Sequence, residues 1–105
     1  MNEITDWKSF HDVFAAALGF PEFYGRNMDA WIDCLTYADE ADGMRSFTVS
    51  PGDLLTLRLD DAGAFAVRCP EQFAAVVECS AFVNWRRIEQ GRRSILALAF
   101  RREAR

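Results

Sequence analysis

Apolar side chains recur early in the chain at the spacing of one helical face. Trp7, Phe10, Val13, Phe14, Ala17 and Leu18 predict a helix over residues 5–18. Thr5 or Asp6 can cap its start, because a short side-chain oxygen accepts from the free N–H groups there. Gly19 and Pro21 end it. Tyr24-Gly25-Arg26-Asn27 then reads as a turn. Met28, Trp31, Ile32 and Leu35 fall at i, i+3, i+4 and i+7, so a second helix is predicted from about Met28 to Tyr37.

After that the period changes. Ser46–Val49 is a short strand candidate, Ser50-Pro51-Gly52-Asp53 a turn, and Leu54–Asp60 a strand; the two runs would make a hairpin. Asp60 or Asp61 can cap a short helix ending at Arg68. Pro70 suits the first turn of a longer helix that runs toward Gln90, with Ser80 as a candidate bend and Gly91 as the stop. Ser94–Phe100 is the last strand, and its nearly unbroken apolar run predicts burial on both faces, as in a parallel sheet. Strands alternating with helices give an α/β layer with a small, mostly parallel sheet.

The second helix has another face. Asp29, Asp33 and Thr36 share its spacing. Two carboxylates four residues apart repel by a few tenths of a kcal/mol. Only Asp29 sits where the helix dipole favours an anion. Such a face is commonly just solvated. Two features point further: Phe23 and Tyr24 stand beside it in the preceding turn, and Arg26 is the only base nearby in sequence.

Length and composition narrow the field. A chain of 105 residues is expected to form one domain over 1–105, and half apolar content with nine Phe and three Trp predicts a globular one. No run approaches the roughly 20 apolar residues of a membrane span. The N-terminus lacks a signal-peptide pattern, so a soluble, cytoplasmic protein without a membrane partner is expected. The cysteines, Cys34, Cys69 and Cys79, are odd in number and form no C-x-x-C pair. With His11 as the single histidine, they predict buried thiols, with no disulfide framework, no metal site and no cofactor. His11 reads as a packing or surface residue. Motifs for phosphate loops, nucleophile elbows and zinc proteases are absent. A carboxylate pair on a convex helix lacks the cleft that catalysis needs, so the chain is not expected to be an enzyme. The net charge of −4 hides an asymmetry: residues 1–53 hold ten Asp and Glu against three Lys and Arg, residues 54–105 six against nine. A basic partner is favoured on the acidic side.

The run Pro21-Glu22-Phe23-Tyr24-Gly25-Arg26-Asn27-Met28-Asp29-Ala30-Trp31-Ile32-Asp33-Cys34-Leu35-Thr36 resembles the signature loop and second helix of the barstar family, small intracellular ribonuclease inhibitors. The resemblance implies a three-stranded sheet packed with helices. Family members begin with a strand before the first helix. Here only Met1–Ile4 stands in that place, so that strand is expected to be abbreviated or absent. The chain would be a monomer, with an exposed sheet edge as the route to a dimer.

By the same resemblance the partner is a basic ribonuclease, blocked in an immunity or antitoxin role. Asp33 would be the central anion in the enzyme's site, with Asp29 beside it, Thr36 adding a polar contact and Phe23 packing from the loop. Glu78, on the later helix, would supply a further acidic contact. Phe23 stands where the best-known member has tyrosine, Ile32 where it has tryptophan, and Tyr37-Ala38 where it has Gly-Trp. Changes at this surface imply a different ribonuclease. Two other readings compete: a binding module of the same fold with a non-nuclease partner, and direct nucleic-acid binding through Arg86, Arg87, Arg92 and Arg93, which the net acidity opposes.

Overall fold

A computed structural model of the chain describes residues 2–40, 49, 50 and 52–101. Helix α1 (Trp7–Leu18) starts at Asp6. The Asp6 carboxylate accepts from the Ser9 amide at 2.8 Å, and Ser9 Oγ accepts from the Asp6 amide at 3.0 Å. This reciprocal cap satisfies two N–H groups that the helix itself cannot. Gly19, at φ 65°, closes the other end in the left-handed conformation. Phe10, Phe14 and Leu18 are buried along the apolar stripe.

Helix α2 (Met28–Thr36) is capped by Asn27, whose side chain accepts from the Ala30 amide at 2.8 Å. Trp31 and Leu35 on its inner face are fully buried, and the Trp31 ring meets Phe14 edge-on at 5.7 Å. The loop between the helices is drawn onto α1 by Arg26, which donates to Asp12 Oδ1 at 2.6 Å and to the Lys8 carbonyl at 3.1 Å.

Strands β1 (Leu55–Asp60) and β2 (Leu96–Arg101) pair in parallel, from Leu55 opposite Leu96 to Asp60 opposite Arg101. The connection between them is α3 (Ala62–Arg68) followed by α4 (Pro70–Glu89). Asp61 takes the cap position of α3, yet its side chain makes no capping bond; it instead sits at φ 52°, turning the chain sharply out of the strand. Pro70 opens α4, where its missing N–H costs nothing. Ser80 causes no bend: it is buried inside an unbroken helix. Asn84, two turns further on α4 than Val76, does a strand's work with its side chain. Its Oδ1 accepts from the Ile95 and Leu96 amides, each at 2.9 Å, and its Nδ2 donates to the Leu96 carbonyl at 2.9 Å. The start of β2 is thereby pinned to the helix.

The parallel α/β layer follows the sequence expectation, with a smaller sheet. Two strands are found among the described residues. Residues 2–4 form none. Ile4 is nevertheless fully buried, and its carbonyl accepts from Arg68 Nε at 3.3 Å and from the Cys69 thiol at 3.5 Å. That carbonyl is therefore engaged at the α3–α4 junction. The predicted strand Ser46–Val49, and with it the hairpin, lies outside the described residues except for Val49. That residue is buried and donates its N–H to Ala38 at 2.9 Å. The turn after it is present: the Asp53 amide reaches the Ser50 carbonyl at 3.0 Å, with Gly52 at φ 89°. Burial on both faces fails for most of β2. Leu96 is covered, Ala97–Ala99 are half-buried and Phe100 is exposed.

Candidate protein-binding site

The face of α2 that carries Asp29, Asp33 and Thr36 is not uniform. Asp29 is exposed, the Asp33 side chain retains 50% of its accessible surface, and Thr36 is fully buried. Burial deepens along the helix because its C-terminal end lies under α4. Thr36 turns its hydroxyl inward to the Ile32 carbonyl at 2.7 Å. It is removed from the surface, and the expected polar contact with a partner is corrected on that ground. Tyr37 follows as the helix cap and is half-buried, with the guanidinium groups of Arg86 and Arg92 at 5.9 and 5.7 Å from its ring centre. These sit at the outer limit of useful cation–π attraction.

The two aromatic residues of the loop go opposite ways. Phe23 is 76% exposed, whereas Tyr24 is buried and shares a hydrogen bond of 2.6 Å with His11 Nδ1. Tyr24 therefore belongs to the core and not to the acidic face. Burial lowers the His11 pKa, with Arg26 adding repulsion, and burial raises that of the Tyr24 phenol. A depression of about 170 Å³ lies between loop and helix, bounded among others by Phe23, Ala30 and Asp33. Glu78 is exposed on α4. It and Asp29 both help to raise the pKa of the half-buried Cys79 thiol, after burial itself, so the two acids flank one point on the molecule. All three cysteines remain thiols.

The base missing from α2 comes from α4. Arg86 Nη1 donates to Asp33 Oδ1 at 2.8 Å, with 32% of the arginine side chain exposed. Arg26, the base nearest in sequence, is spent on α1. Beyond Arg86 the network goes inside. Arg87, 3% exposed, donates to the Thr36 carbonyl at 2.6 Å, to the Arg93 carbonyl at 2.7 Å and to Asp39 Oδ2 at 2.9 Å. Arg92 adds a second bond to Asp39 at 2.7 Å. These arginines hold the Asp39 carboxyl below its usual range, the Arg87 hydrogen bond acting most strongly. Asp39 is thus the anion that orders the ends of α2 and α4. The charge asymmetry of the two halves is thus partly settled within the molecule. Arg86, Arg87 and Arg92 are committed to carboxylates and carbonyls, which removes most of the phosphate-binding cluster that the sequence suggested.

A short helix bearing an exposed and a half-exposed carboxylate, an aromatic side chain held out from its leading loop, and a shallow depression between them form the most distinctive surface of the described residues. The chain matches the family model described as Barstar (barnase inhibitor) over residues 1–98. It belongs to the barstar family. Members of that family are inhibitors that act on ribonucleases, not enzymes. The four helices and reduced parallel sheet of the described residues fit the barstar fold. No curated protein and no solved structure gives a significant match. No helix among the described residues is long and apolar enough to cross a membrane. Sequence reasoning missed Arg86 as a neighbour of Asp33, since 53 residues separate the pair. The signal was the run of arginines at the end of α4, which lacked an assigned counter-charge.

Proposed function

We propose that the chain is a cytoplasmic protein inhibitor of a basic ribonuclease, in the manner of an immunity protein. The observation that carries this reading is the outward placement of Asp29 and Asp33 on α2 beside the exposed Phe23. A ribonuclease site holds phosphates with cationic side chains. Carboxylates fixed on a helix can occupy the same subsites, and a guanidinium pairs with a carboxylate through strong, planar, charge-assisted bonds. The helix is already ordered, so little freedom is lost on binding. Phe23 gives the enzyme an apolar surface next to the charge. Asp29 and Glu78 widen the negative field, and Tyr37 lies at its edge. In the free protein Arg86 shares Asp33 with solvent; a partner arginine would join or displace it.

The test is inhibition of a panel of basic ribonucleases, barnase among them, by the wild-type chain and by Asp33→Ala. Bonds to a charged group are worth about 1.5–3 kcal/mol, so roughly a 10- to 100-fold loss of inhibition is expected. Folding should change little, because a half-exposed ion pair contributes only about 0–1 kcal/mol. A variant that inhibits as well as its parent would remove Asp33 from the site. A wild-type chain that inhibits none of the panel, and captures only proteins that are not nucleases, would replace this reading with a binding module of the same fold.

A further inference from the structure

Helix α4 carries two exposed aromatic residues that neither the core nor the α2 site explains. Glu78, Phe82, Trp85 and Glu89 follow one another at i, i+4, i+7 and i+11, and all four are exposed. Phe82 keeps 45% and Trp85 56% of its accessible surface, with the two rings 5.9 Å apart. Large aromatic side chains gain nothing from standing in water, and single turns of a solvated helix face are better served by Lys, Glu or Gln. The stripe adjoins the acidic face of α2. Arg86, which bonds Asp33, follows Trp85 directly and lies one turn beyond Phe82. Cys79, one turn before Phe82, is in the field of both Asp29 and Glu78.

We propose that Phe82 and Trp85 form an aromatic anchor for the same basic partner, so that the binding surface extends from α2 across Arg86 onto α4. This rests on the inhibitor reading. The occupant is chosen by charge. The stripe is flanked by Glu78 and Glu89 and borders Asp29 and Asp33, the same pairing of aromatic and carboxylate found around Phe23. A second copy docking on the same patch would set these acids against their own counterparts. A basic partner brings arginine and lysine, whose stems cover the rings, whose charge is drawn to the ring faces, and whose heads reach the flanking carboxylates. Aromatic residues and arginine are also the types enriched at protein interfaces.

The experiment measures affinity for catalytically inactive barnase, and for any ribonuclease of the panel that the wild type inhibits. The variants are Phe82→Ser/Trp85→Ser, Trp85→Arg and Asp33→Ala, with circular dichroism and melting temperature recorded for each. The double variant should bind at least tenfold more weakly with its fold intact. Trp85→Arg, which keeps a long helix-forming side chain and adds a like charge, should lose at least as much. If both bind as tightly as wild type while Asp33→Ala does not, the anchor is refuted and the inhibitor reading stands. If the wild type forms a concentration-dependent dimer that Phe82→Ser/Trp85→Ser abolishes, the patch is a self-interface and the proposal is overturned. If the wild type binds no ribonuclease, the inhibitor reading fails and takes the anchor with it.

Discussion

Replacing Arg87 with methionine keeps an apolar stem of similar reach and deletes the guanidinium. In the wild type that group joins three separate places: the last turn of α2 through Thr36, the segment after it through Asp39, and the connection into β2 through Arg93. The side chains of Arg87 and Asp39 are only 4% and 15% exposed. Removing one member of such a buried pair costs about 3–5 kcal/mol, because the remaining charge is left without its partner. Arg92 still reaches Asp39, which limits the electrostatic loss. The Thr36 and Arg93 carbonyls lose a donor in addition, so the upper part of that range is expected. Against a total stability of about 5–15 kcal/mol for a domain, this is a large fraction. At roughly 4–8 °C per kcal/mol, a loss of about 4 kcal/mol or more should lower the melting temperature by at least about 16 °C.

Urea unfolding followed by circular dichroism is the assay, with a lower midpoint and an unchanged slope expected. A pH series adds an independent readout. The Asp39 carboxyl is held below its usual range by Arg87. Its contribution to stability is therefore complete above about pH 3.9, the unfolded value, and disappears as pH falls through the folded value. Arg87→Met should shrink that acid-side loss. Arg87→Lys should rescue little, since an ammonium cannot address acceptors on both edges of a guanidinium. A variant within about 1 kcal/mol of wild type, below the range given for a broken buried pair, would show that the network orders nothing.

Three further expectations concern other residues. Arg86→Ala should cost at most about 1 kcal/mol of stability and, by leaving Asp33 without its internal cation, should speed association with a basic ribonuclease at low salt; an unchanged or slower on-rate in stopped-flow measurements would show that Arg86 does not compete for Asp33. His11 is kept neutral by burial and by the nearby Arg26, so its share of stability is present above about pH 6.5 and declines as pH drops toward the folded value. Urea melts at pH 7 and pH 5 should show that decline, and His11→Phe should flatten it. Asn84→Leu leaves the Ile95 and Leu96 amides without their acceptor, which should cost on the order of 3 kcal/mol. Hydrogen exchange should then show both amides losing protection ahead of the rest of β2; equal protection in the variant would refute the pinning role.

Local order was legible in the letters because its causes are local. The stripe from Trp7 to Leu18, the Asp6 cap, the Pro70 start and the turn with Gly52 each depend on residues a few positions apart. The same holds for β1 and β2, found within two residues of where they were expected. What escaped were partnerships across 48 to 53 residues. Periodicity placed Thr36 on the acidic face, and so it would be on an isolated helix; α4 lying over its last turn buries it. The arginines at the end of α4 carried no mark of which acid each would meet. Ser80 looked like a weak point for want of helix propensity, yet a buried position in a long packed helix overrides that small penalty. Phe23 and Tyr24 are adjacent and chemically alike. Tyr24 goes in, bonded to His11 13 residues earlier and packed on the Phe20 ring, while Phe23 stays out.

The ion pair between Arg86 and Asp33 gives the molecule two independent handles on one patch of potential. Because the cation comes from a different helix, replacing the single residue at position 86 can neutralise, restore or invert the local field while every residue of α2 stays as it is. Substitutions confined to α4 can therefore change the charge that α2 presents to solvent, without rebuilding α2.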